Sequence, residues 1–141
     1  MTMRARVSVL VCVMALGLSA AAAAHHAFAA EFDATKPVKF RGTVTKMLWV
    51  NPHAWIYVDV KKDDGTVEEW MIEAGTPNTL LRRGFTKESL QPGTEIVVDG
   101  YQAKDGERRA NGRDVTLPNG KTLFLGSAGT GAPDEKKDEK K

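Results

Sequence analysis

Cysteine is nearly absent: one residue, Cys12, in 141. Without a second thiol no intrachain disulfide forms, so the fold must be held by its core alone. Val11 precedes Cys12 and apolar residues surround it, the wrong context for lipidation. Charge of one sign is lacking too, with 20 Lys and Arg against 18 Asp and Glu. Such a chain has little electrostatic grip on nucleic acid or an anionic membrane. The apolar stretch from Val7 to Leu18 is too short for a comfortable membrane span. Nucleophile motifs, glycine-rich phosphate loops and zinc-protease helices are missing. Glu68, Glu69 and Glu73 share a predicted strand, but adjacent strand residues point to opposite faces and make no acid/base pair. The chain is expected to be non-catalytic.

The N-terminus carries an ordered signal. Arg4 and Arg6 precede the apolar stretch, and small residues from Ser19 to Ala24 follow it. That succession marks residues 1–24 as a secretory signal peptide and the protein as periplasmic or secreted, an uncleaved anchor being the competing reading. Removal takes away Arg4, Arg6 and no acid, leaving 18 basic and 18 acidic residues and no cysteine. A cut after Ala24, a few residues past the apolar stretch, exposes His25. A cut after Ala29 would discard both His25 and His26, and one after Ala23 would give an Ala24-His25-His26 start.

Beyond a lead-in at 25–37, the pattern is that of strands. Val38, Phe40 and Val44 alternate with polar residues, and Gly42 predicts a bend or bulge. Asn51-Pro52 turns the chain into a second strand, about His53 to Val60. There Ala54, Ile56, Val58 and Val60 share one face, and Trp55, Tyr57 and Asp59 the other. Asp63-Asp64-Gly65 leads to a third strand, Val67 to Glu73. Thr76, Pro77 and Gly84 then frame a short helix with Leu80 and Leu81 toward the sheet and Arg82 and Arg83 toward solvent. Further strands follow at Thr94–Tyr101, Arg109–Leu117 and Lys121–Leu125. Three strands, a helix, then two or three strands is the order of an OB-like five- to six-stranded barrel spanning 38–125; an open sandwich is the alternative. The tail, 126–141, ends in two Asp-Glu-Lys-Lys repeats with no apolar residue between them, a composition expected to stay disordered.

All three histidines fall in two short motifs, His25-His26-Ala27-Phe28 and Asn51-Pro52-His53-Ala54-Trp55. With Pro77-Asn78-Thr79-Leu80-Leu81-Arg82-Arg83-Gly84 and Val115-Thr116-Leu117-Pro118-Asn119-Gly120, they resemble a family of small secreted bacterial proteins of unknown function. The resemblance runs from His25 to about Gly126 and implies no activity. Site residues must come from chemistry. An N-terminal His25 offers its α-amine and ring Nδ1 as a chelate, and His26 or His53 adds an imidazole. A nitrogen-rich, nearly planar set suits Cu(II) above other divalent ions. Copper, held by His25, His26 and His53, is therefore the expected metal. The bland reading is a solvated terminus and a turn histidine donating one hydrogen bond.

The aromatic residues point to a second kind of ligand. Trp49, Trp55, Tyr57 and Trp70, with Asn51 at the turn, lie on or beside the strand 2–3 surface with which OB barrels bind ligands. Arg82, Arg83, Arg108, Arg109 and Arg113 could accompany them on single strands, but a neutral exported chain argues against nucleic acid. A periplasmic partner protein or glycan is the expected alternative to a metal ion. Trp49 and Trp70 have a structural reading as well, as caps of the barrel ends.

Overall fold

Residues 28–126 are described by a computed structural model of the protein. The signal segment, His25, His26 and the charged tail lie outside the described residues. The chain enters through a helical turn at 28–31, a second short helical element where one was expected. Six strands and one capped helix follow. They are β1 (Phe32–Leu48), β2 (Trp55–Lys61), β3 (Val67–Glu73), α1 (Pro77–Arg82), β4 (Glu95–Ala103), β5 (Arg109–Thr116) and β6 (Thr122–Phe124). β3 has its expected bounds. β1 begins six residues before Val38, because the lead-in from Phe32 onward pairs with the end of β4.

β1 is long because it serves two partners. Pro37 to Thr43 pair with β4, and Thr43 to Leu48 pair with β2. Gly42 sits at the change of partner, where a Cβ would lie 2.4 Å from Val58 and 2.7 Å from the carbonyl of Asp59. A register shift between Val44 and Lys46 makes the bulge, three residues beyond that glycine. β2 pairs with β3, β4 with β5, and β3 closes on β5 in parallel. The result is a ring of five strands in the order β1-β2-β3-β5-β4, with β6 appended to β5. This barrel-like ring is an OB-like fold.

The alternation sorts side chains cleanly. Ile56, Val58, Ile72, Ile96, Val98, Ala110 and Val115 fill the interior. Phe40 meets Trp70 with ring centroids 4.8 Å apart, and Trp49 stacks on Phe85 at 6.3 Å and 10°. Both tryptophans pack against the core. The Thr79 amide donates to the Thr76 hydroxyl at 3.2 Å, and Gly84 ends the helical segment at φ 78°. Leu80 is buried, but Leu81 is 50% exposed. The expectation that both face inward is corrected by geometry: successive helical residues lie about 100° apart, and so short a helix buries a narrow stripe.

The closest backbone approach in the ring is at Gly100, where a Cβ would stand 2.2 Å from the Asn111 carbonyl oxygen. Gly100→Ala is expected to destabilise the fold by about 2–3 kcal/mol. The measurement is the urea midpoint, which should fall with little change in slope.

Candidate functional site

Cross-strand register carries one row of residues around the outside of the ring. Trp55 faces Glu73, Glu73 faces Asn111, and Asn111 faces Tyr101. Outer positions of a small barrel ordinarily meet water, yet Glu73 and Asn111 are each only 8% exposed and Tyr101 6%. Two local segments cover this row. The β1–β2 turn brings His53 over Glu73, with Nδ1 3.0 Å from Oε1. From the other side, the entering turn lays Phe28 and Phe32 on Tyr101, with Phe28 edge-on to the tyrosine ring at 5.6 Å. The Lys104 amide donates to the Glu31 carbonyl at 2.9 Å, and its ammonium reaches the Ala29 carbonyl. The entering segment is a strap fixed to the barrel wall.

Glu73 is therefore a carboxylate removed from water. Burial pushes its pKa up to about 7, and the nearby charge of Glu31 adds to the rise. The Arg109 charge and a hydrogen bond from Asn111 oppose it without reversing it. Arg109 is itself drawn three ways. Its guanidinium lies 3.0 Å from Asp105 and 3.8 Å from Glu31, while its Nε is buried with no hydrogen-bond partner among the described residues. Burying charge in this way is a weak source of stability, and perturbed carboxyls of this kind cluster at functional sites as well as in structural ion-pair networks.

The chemistry of the pair follows from its geometry. With Nδ1–H donated to Glu73, the imidazole of His53 keeps Nε2 as its free lone pair. A carboxylate behind an imidazole is the arrangement that orients metal-ligating histidines and raises their basicity. The His53 side chain is about one-third exposed. No three His, Cys, Asp or Glu side chains gather to hold a metal among the described residues. Further ligands would have to come from His25 and His26, which lie outside them.

The expected aromatic set divides. Trp55 and Tyr57 stay half-exposed on the outer face, with the Lys46 ammonium 4.1 Å above the Tyr57 ring. Trp49 and Trp70 are partly buried and pack against the core, and Asn51 is exposed at the turn, preceding a cis bond to Pro52. Sequence reasoning missed Glu73, Asn111, Arg109 and Glu31. Only the parallel closure of β3 on β5 brings the first three together, and no spacing in the chain announces it.

A small OB-like barrel with a strapped outer wall and a carboxylate-held imidazole is the class of protein these features define. The chain belongs to DUF6152, a family of unknown function whose pattern matches residues 13–112. None of the curated proteins compared with the chain matches it.

The raised pKa of Glu73 sets a pH dependence. The folded state keeps a proton that an unfolded glutamate releases near 4.5, its ordinary value. That contribution is complete below about 4.5 and is lost as pH rises through 7. Unfolding free energy is expected to fall across this window by no more than about 3 kcal/mol. Glu73→Gln should flatten the slope, as read by urea denaturation at pH 5 and pH 8.

Proposed function

We propose that the protein is an exported, non-catalytic binding protein that holds one Cu(II) through the amine and imidazole of His25, with help from His26 and His53. The observation that carries the reading is the 3.0 Å contact that fixes His53 Nδ1 against Glu73, so that Nε2 is the ring nitrogen this carboxyl does not engage. Chain continuity supports it. Phe28, three residues after His25 in the chain, is buried on Tyr101 of the same outer wall that bears Glu73 and His53. Two strand spacings separate the Tyr101 and Glu73 positions, about 10 Å. Three extended residues back from Phe28 to His25 also reach about 10 Å.

The strap bears on processing as well. A cut after Ala29 would remove Phe28 from its cluster with Phe32 and Tyr101, exposing both rings. Cleavage upstream of Phe28 keeps the cluster, and cleavage after Ala24 keeps both histidines. In the proposed site His53 binds through Nε2, Glu73 holds that ring's tautomer, and Asn111 and Arg109 hold Glu73. Nitrogen donors from the terminus favour Cu(II) by geometry and by the order of divalent affinities.

Mass spectrometry of the exported chain is expected to show His25 as its first residue. Calorimetry on that chain should give one Cu(II) site. Removal of the chelate by His25→Ala should weaken it severely, and Glu73→Gln should weaken it roughly 10- to 100-fold through the orientation of His53. Unchanged copper affinity in His25→Ala would sink the proposal. A chain started at Ala30 should bind no copper at this site and melt at lower temperature, since it lacks the Phe28 contact.

A further inference from the structure

The five-strand ring is not closed along its whole length. β3 and β5 pair only at Met71–Arg109, Ile72–Ala110 and Glu73–Asn111. Earlier in β3, Val67 to Trp70 have β2 on one side and no paired strand on the other among the described residues. The direction of the backbone groups follows from alternation. The Lys62 amide donates to the Thr66 carbonyl at 2.8 Å, and the Met71 amide points away from β2 to the Arg108 carbonyl at 2.9 Å. Between these points, Val67 and Glu69 share the parity of Met71, so their N–H and C=O groups face the open side. That side borders a cleft of about 430 Å³ lined by Glu69 and Met71 on β3 and Gly106, Glu107 and Arg108 from the β4–β5 turn.

The edge has a definite character. Val67 is 57% exposed. Asp59 lies directly opposite Glu69 across the β2–β3 ladder, a like-charge pair that costs stability. Glu107 adds a third carboxylate on the facing wall. The nearby cations Lys62 and Arg108 bridge instead to Glu68. An open strand edge invites pairing, and charge decides with what. Acidic or neutral strands gain nothing from Asp59, Glu69 and Glu107, whereas a basic strand satisfies backbone and charge together.

We propose that the Val67–Trp70 edge takes an extended Lys- or Arg-bearing segment of a partner protein as an added strand, with the basic side chains meeting Asp59, Glu69 and Glu107. Strand addition derives affinity from main-chain bonds and selectivity from alternate side chains. The proposal is independent of copper, because it uses no residue of the His53–Glu73 pair.

The test uses the exported chain without copper and an eight-residue peptide of alternating Lys and Val, with a Glu/Val peptide as control. Amide exchange at Val67 and Glu69 is expected to slow with the basic peptide alone. Val67→Pro removes an outward N–H while leaving the bonds to β2, and should abolish binding at an unchanged unfolding midpoint. Glu69→Lys, which keeps every backbone group, should weaken binding about tenfold and serves if the proline variant fails to fold. Equal binding of the two peptides, wild-type affinity in Glu69→Lys, or protection confined to other amides would overturn the proposal. So would a concentration-dependent dimer that protects Val67 and Glu69 with no peptide present.

Discussion

The short parallel ladder between β3 and β5 is the constraint on which the rest of the structure rests. Three residue pairs turn an antiparallel sheet into a ring. The ladder joins segments nearly forty residues apart and is parallel where the other strand pairings are antiparallel. Ile72 and Ala110 point inward from it and complete the core, while Glu73 and Asn111 point outward together. Because it stops at Met71, the same ladder also leaves the earlier part of β3 with a side that no strand among the described residues pairs. Core closure, the buried carboxylate and the open edge are three consequences of one pairing and its length.

The outer wall shows how a barrel can bury polar groups without enlarging its interior. Glu73 stands where a strand residue would usually be solvated. The His53 turn and the Phe28–Phe32 strap remove it from water, and its neutral form is favoured as a result. Nothing in packing requires a carboxylate there; glutamine would hydrogen-bond to Asn111 at lower cost. What glutamate supplies is a carboxyl oxygen 3.0 Å from His53 Nδ1, which fixes the orientation of the imidazole ring. The strap covers Tyr101 with Phe28 and Phe32.

The arrangement of aromatic residues separates scaffold from surface. Trp70 packs on Phe40 and Trp49 stacks on Phe85, and both tryptophans lie partly buried against the core. Trp55 and Tyr57 lie on the outer face and remain partly open. A cluster of tryptophans and tyrosines in a short sequence thus splits into core-packed and outer-face members once register is known, and chemical type alone is a poor guide to placement.

Much of this was legible in the chain. Alternation in Ala54–Val60 separated the inner from the outer side of β2, Thr76, Pro77 and Gly84 framed the helix, and Asp64-Gly65 marked the tight hairpin, because each depends on neighbours a few residues away. His53 could be singled out as a candidate for the same reason, as the histidine of the Asn51-Pro52-His53-Ala54-Trp55 turn motif. Glu73, Asn111 and Arg109 could not, since their meaning comes from contact across β3 and β5. The start of β1 at Phe32 escaped as well, because a strand that pairs only through Ala103 and Tyr101 carries no strong pattern of its own. Local periodicity and turn chemistry therefore determined the elements and their order. Tertiary closure alone decided which carboxylate meets the imidazole and which edge stays open, because burial and pairing between distant segments are properties of the assembled ring.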